Sequence, residues 1–223
     1  MLAMSNSNSP MSPSRNILRK GHRNFAHFFP SLKNGVSIGC ESYLEAECCY
    51  LLEHDREITR YFAQPKCYEW MEAEKKFRYT PDFLVRCSDD SSYLIEVKHS
   101  FIHLEEAYQE KLDSFSLLCR NRAMYFHQWS RAKIHSHSSL STLKQLYSRS
   151  HHIDTADSYF FIEAAKHIAW PVTLAQLIHQ LPQFSINLLC HLLFYQVLQA
   201  DLSQPLTLDF LIDGIECYGR SVA

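Results

Sequence analysis

The alternation of apolar and polar positions changes period along the chain, and the changes mark out the elements. Between residues 41 and 54, Leu44, Cys48, Leu51 and Leu52 recur at i, i+4, i+7 and i+8, which predicts a helix with one apolar stripe. Residues 58–70 are rich in strand formers, with Pro65 at an edge or a strand start. Residues 80–100 alternate with a period of two around Ser88-Asp89-Asp90, which predicts a hairpin with its turn there. A helix over 104–122, a short buried strand over 123–129 and a helix over 140–149 follow. From 155 the pattern is helical, at 157–168, 172–181 and 184–198, and ends in a β-like piece at 205–212. Thr173 stands where an N-cap is expected. Three short helices and a strand read as helix-turn-helix-like. Residues 1–14 are Ser/Asn/Pro-rich and predict disorder, and 15–38 have no clear period and predict an extended arm.

The expected class is therefore α/β, with helices around a mixed sheet, followed by a small and mostly helical unit. The expected division is a disordered leader and basic arm at 1–38, a main domain at 39–152 and a C-terminal domain at 153–223.

Composition narrows the functions. Of 223 residues, 46% are hydrophobic and 21% charged, which excludes a wholly disordered chain, a collagen and a coiled coil. A net charge of -2 argues against a uniformly basic DNA binder. The charge is nevertheless graded. Residues 1–40 hold Arg15, Arg19, Lys20, Arg23 and Lys33 and no acid, and sum to +5; residues 155–223 sum to -4. Eight cysteines include no C-x-x-C pair, so they read as reduced core thiols rather than zinc ligands. His135, His137, His151 and His152 flank a Ser-rich stretch that could hold a metal but reads as a solvated loop, because no i,i+4 pair or cysteine partner supports ligation. No apolar run reaches 18 residues and no apolar signal region opens the chain, so a cytoplasmic protein without a membrane partner is expected.

The hairpin carries the chemistry. Centred on Asp89, it sets Asp82 opposite Glu96, each seven residues from the centre. Alternation puts Leu84, Arg86, Leu94 and Lys98 on the same face, and Phe83, Val85, Tyr93, Ile95 and Val97 on an apolar face behind. Directly opposed residues have Cβ atoms about 4.5–5.5 Å apart, so two carboxylates there repel unless a positive charge joins them. A hard divalent cation satisfies that geometry with oxygen ligands. Lys98 lies beside the pair, within reach of a water or a phosphate. An ordinary surface hairpin, with Asp82 and Lys98 merely paired, would carry the same short pattern.

Pro81-Asp82 followed by Glu96-Val97-Lys98 is similar to the PD-(D/E)xK motif of restriction-endonuclease-like nucleases. That superfamily often takes a third acid from an upstream helix, where Glu41, Glu45, Glu47 and Glu53 are available. Ser42 to Glu45 also fits a helix capping box, and Glu41 and Glu47 could simply face solvent. Ser42-Tyr43-Leu44-Glu45, Leu51-Leu52-Glu53-His54-Asp55, Gln64-Pro65, Tyr79-Thr80-Pro81-Asp82-Phe83 and Glu96-Val97-Lys98 together resemble the TnsA endonuclease family over residues 15–135. Some members of that family have Gln where Glu96 stands.

The resemblance implies a restriction-endonuclease-like sheet followed by a winged-helix-like domain. It implies Glu45, Asp82, Glu96 and Lys98 as catalytic positions in an Mg²⁺-dependent DNA endonuclease, with Mn²⁺ as a substitute. Asp82, Glu96 and the Val97 carbonyl would hold an ion, Glu45 would help to hold it or a second one, and Lys98 would position the attacking water. The partners implied are transposon-end DNA, a DDE-type transposase that joins the opposite strand, and an AAA+ regulator, in a nucleoid-associated setting in a bacterial cell. Gln64-Pro65 reads as structural, a strand start.

The basic arm, with Phe25, Phe28 and Phe29 interleaved, is expected to dock on DNA phosphates; the other reading is an inert solvated leader. The stretch Phe184 to Val197 has no Lys or Arg to read base edges, so the C-terminal unit is expected to bind protein. A non-catalytic assembly module and a stand-alone restriction or repair nuclease are the alternatives to a transposase subunit.

Overall fold

The computed structural model describes residues 27–72 and 74–216. Arg15, Arg19, Lys20 and Arg23 of the basic arm, and the leader expected to be disordered, lie outside the described residues. Among the described residues the protein is mixed α/β, with seven helices and a four-stranded mixed sheet. Residues 27–46 and 57–131 form one compact unit, and 47–56 with 132–216 form a second.

The first unit opens with a hairpin, β1 (His27–Ser31) and β2 (Val36–Cys40), where the sequence suggested an extended arm. Phe29, Ser31, Ile38 and Cys40 are its buried positions, a period-two pattern too short to stand out. Gly35 closes the turn at φ +66° and donates its N–H to Leu32 O at 3.2 Å. Lys33, half-buried, sits in that turn.

Helix α1 (Tyr43–His54) gives its first turn to this unit and its remainder to the second. It buries Cys48, Cys49, Leu51 and Leu52 but also Glu45, Glu47 and Glu53, so it carries no single apolar stripe. Strand β3 (Ile58–Ala63) follows, and then a hairpin of β4 (Tyr68–Glu72) and β5 (Lys75–Tyr79). Pro65 lies in the link between β3 and β4 rather than at a strand start.

Strands β6 (Phe83–Cys87) and β7 (Ser92–Lys98) form the expected hairpin, with Phe83 facing Ile95 and Leu84 facing Leu94. Helix α2 (Glu106–Asn121) then returns the chain to β8 (Tyr125–Ser130), which pairs parallel to β7. The sheet order is β3-β6-β7-β8. Strand β8 is not the buried strand expected: it is the last strand of the sheet, and Tyr125, His127 and Gln128 are exposed.

Both faces of the β6–β7 hairpin are covered, which the alternation did not foretell. Phe83, Val85 and Ile95 are buried on one side, with Tyr61 packed edge-on to Phe83. On the side of the carboxylates, Leu94 packs with Tyr79 and with Leu112, Phe115 and Cys119 of α2. Phe115 is the hub, touching the rings of Tyr68, Tyr79 and Phe126.

The second unit holds α3 (Arg131–His135, which starts at the end of the first unit), α4 (Leu140–Tyr147), α5 (Thr155–Ala165), α6 (Leu174–Gln180) and α7 (Ile186–Phe194). Four two-residue strands, β9 (Val172–Thr173), β10 (Leu198–Gln199), β11 (Leu211–Ile212) and β12 (Gly214–Ile215), pair as β9–β11 and β10–β12. Residues 132–152 fold here, not with the first domain as the sequence boundary had it: Leu143, Leu146 and Tyr147 are buried, and Tyr147 packs on Phe194 at 4.7 Å. Thr173 caps α6 in a full capping box with Gln176. Helix α7 buries Leu188, Leu189, Cys190, Leu192, Leu193 and Phe194, so its apolar residues are core. The histidine-rich stretch is structured as well. His135 ends α3 and bonds Glu47 at 2.7 Å, and His151 packs edge-on to Tyr147.

Among the described residues no helix is long and apolar enough to cross a membrane.

Candidate active site

Asp82 and Glu96 meet through strand register. The β6–β7 pairing extends by one step from Phe83 and Ile95 to Asp82 and Glu96. Pro81 and Asp82 form the entry to β6, where a proline without an N–H costs the ladder nothing. Asp82 Oδ2 accepts a hydrogen bond from Val97 N at 2.7 Å, so β7 itself anchors the carboxylate. Val97 thus meets Asp82 through its N–H.

Both acids are deeply placed, Asp82 at 8% and Glu96 at 3% exposure. Burial pushes the Asp82 carboxyl well above its ordinary range, and the charges of Glu96 and Glu45 and a hydrogen bond with Glu96 push it further, while the Val97 N–H opposes. A proton kept on Asp82 relieves its repulsion with Glu96, the electrostatic role that a cation would fill.

Two residues that the sequence did not single out as functional complete Glu96. Tyr79 donates its hydroxyl to Oε2 and Tyr108 donates to Oε1. Burial and the adjacent Glu96 charge drive both phenols far above their ordinary range, so they remain donors. An ionised carboxylate has about four lone-pair positions, so two tyrosines leave capacity for a cation while fixing the group's orientation. Tyr79 stood in the sequence three residues before Asp82. Tyr108 comes from the first turns of α2, and nothing local marks it.

Lys98 Nζ lies 3.6 Å from Glu96 Oε1 and 4.8 Å over the Tyr108 ring, with 40% of its side chain exposed. It joins the buried acids to solvent. Lys111 stands over the same ring at 5.5 Å. The mouth of the site is thus cationic and its floor acidic.

Glu45 is buried and its charge is felt by Asp82, but its oxygens are engaged at the start of its own helix. Ser42 Oγ donates to Oε1 at 2.8 Å and Glu41 N–H donates to Oε2 at 2.8 Å, while Glu45 N–H returns a bond to Ser42 Oγ. Burial, the leading cause, raises its carboxyl above the ordinary range, and the Glu41 and Glu96 charges add to that against these hydrogen bonds. Glu47 does not face solvent: it is buried between His135 and Lys144, whose hydrogen bonds outweigh desolvation and hold it below its ordinary range. Glu53 accepts the Tyr195 hydroxyl at 3.0 Å. Lys33, of the basic residues expected to touch DNA, is the one described.

Among the described residues no three His, Cys, Asp or Glu side chains form a ready-made cation shell. The donor chemistry nonetheless fits a hard cation: two buried carboxylates, a third acid within electrostatic range and oxygen donors throughout. No protein-family model matches the chain, and no curated protein matches it.

Proposed function

We propose that the chain is a divalent-metal-dependent DNA endonuclease, acting as the subunit of a cut-and-paste transposase that cleaves the non-transferred 5′ strand at transposon ends. In this reading the first unit is restriction-endonuclease-like and the C-terminal part winged-helix-like. The supporting observation is the register that sets Asp82 beside Glu96, with Lys98 two residues further along the same strand.

Asp82 and Glu96 would hold Mg²⁺ or Mn²⁺, with Glu45 and the Val97 carbonyl at its edge. The ion supplies a water of lowered pKa and neutralises charge on the phosphate. Tyr79 and Tyr108 fix Glu96, so the carboxylate does not reorganise as charge develops. Lys98, exposed at the mouth, positions the attacking water against the scissile phosphate. Arg15, Arg19, Lys20, Arg23 and Lys33 bind DNA phosphates without reading sequence. The acidic C-terminal part, whose α7 is core, binds a DDE-type transposase or an AAA+ regulator.

The test is strand-resolved cleavage of end-labelled transposon-end duplex, with the chain and its DDE-type transposase in Mg²⁺. Wild type should nick the 5′ strand, and Asp82→Ala should leave only 3′-end joining. A nick that persists in Asp82→Ala would mean that the chain is an assembly module. Equal cutting of any duplex without the transposase would mean a stand-alone nuclease.

A further inference from the structure

Gln64 is the one buried side chain among the described residues whose polar atoms have no partner: at 1% exposure, neither Oε1 nor Nε2 is hydrogen-bonded. Its backbone is as unusual as its side chain. It lies at φ +46°, in the left-handed region that a residue with a Cβ rarely adopts. Its N–H donates to Asp82 O at 2.7 Å, so the backbone of the site holds it in place.

The registers locate it. The β3–β6 pairing of Ala63 with Phe83 extends by one step to Gln64 and Asp82. The β6–β7 pairing extends from Asp82 to Glu96. Gln64, Asp82 and Glu96 therefore stand in one row along the end of the sheet, with Gln64 one residue past the end of β3 and Asp82 one residue before β6.

A methionine would fill this space without stranding a polar group, and buried amides without a partner are rare in folded proteins. A carboxamide at the end of a row of carboxylates fits a ligand that carries both a positive centre and hydrogens, namely a hydrated divalent cation. The geometry points to Gln64 as a positioning residue: its Oε1 accepts a hydrogen bond from a water bound to the cation held by Asp82 and Glu96. The inference rests on the metal-dependent reading above and extends it, because it gives the strained Gln64 a role in ordering that water rather than in ending β3.

The test uses Mn²⁺ alone, titrated by calorimetry into the full chain, with thermal midpoints measured in chelator. Gln64→Met should keep or raise the metal-free midpoint, because it removes an unsatisfied group, while Mn²⁺ affinity falls roughly 10–100-fold, as for other outer-shell partners. Gln64→Glu covers the case in which the methionine variant does not fold: it should lower the metal-free midpoint and regain the loss on adding Mn²⁺. Wild-type Mn²⁺ affinity in Gln64→Met, or no Mn²⁺ recovery in Gln64→Glu, would overturn the role of Gln64. If wild type binds Mn²⁺ and Asp82→Asn does not, that failure leaves the metal site standing. If wild type binds no Mn²⁺, both fall.

Discussion

Replacing Asp82 by Asn should stabilise the metal-free protein and destroy its function. The carboxamide can still accept the Val97 N–H, so the anchor to β7 survives. What disappears is a buried negative charge opposite Glu96. Two full charges about 5 Å apart repel by about 3 kcal/mol at an effective dielectric of about 20, an upper bound on the part of the gain that comes from repulsion, to which relief of desolvation adds. At about 2–4 °C per kcal/mol for a chain of this size, that part should raise the midpoint by up to roughly 6–12 °C. The sign depends on pH. Asp82 has its proton affinity raised in the folded state, so between its ordinary and its raised value the folded protein binds more protons than the unfolded one. Wild-type stability therefore falls as pH climbs through that window, and the Asn variant lacks this loss. Scanning calorimetry in chelator should find the two proteins closest at about pH 4, the ordinary carboxyl range, and the variant ahead at pH 8. Saturating Mg²⁺ should close the gap, since a ligand at 100 times its Kd adds about 2.7 kcal/mol to the protein that binds it. A variant less stable than wild type at pH 8 without metal, or a gap independent of pH, would refute the buried-repulsion argument.

Tyr79→Phe removes a buried donor to Glu96 and should cost about 1.5–3 kcal/mol in urea denaturation, the range for hydrogen bonds to charged groups; no loss would mean that Glu96 is not held from this side. Leu193→Ala in the core helix α7 should cost about 2–5 kcal/mol by the same assay, and an effect under about 0.5 kcal/mol would return that helix to the surface. Removing residues 1–26 takes away Arg15, Arg19, Lys20 and Arg23, and should reduce the slope of log affinity for duplex DNA against log salt by about 0.9 for each phosphate that these side chains neutralise; an unchanged slope would mean that the arm is inert.

The sequence made the centre of the site legible and left its surroundings hidden. Ser88-Asp89-Asp90 at the turn fixes the β6–β7 register, and with it the pairing of Asp82 and Glu96. Turn chemistry and a period of two act over a few residues and can be read locally. The Ser42 and Glu45 capping interaction and the Thr173 cap were legible for the same reason. The cover over the carboxylate face was not, because α2 arrives by a crossover and only then brings Phe115 and Tyr108 to β7. Glu47 reads as solvent-facing because its partners His135 and Lys144 lie 88 and 97 residues away. Residues 132–152 look like an appendage of the sheet until Tyr147 meets Phe194. Gln64 reads as a strand start because nothing local tells that its amide is buried without a partner.

The most direct measurement is anomalous scattering from crystals of the full chain grown with Mn²⁺. The ion should appear between Asp82 and Glu96, at the roughly 2.0–2.6 Å typical of hard cations and carboxylate oxygens, with Tyr79 and Tyr108 still on Glu96. Manganese only at surface carboxylates, and none at Asp82 and Glu96, would contradict a metal-dependent active site.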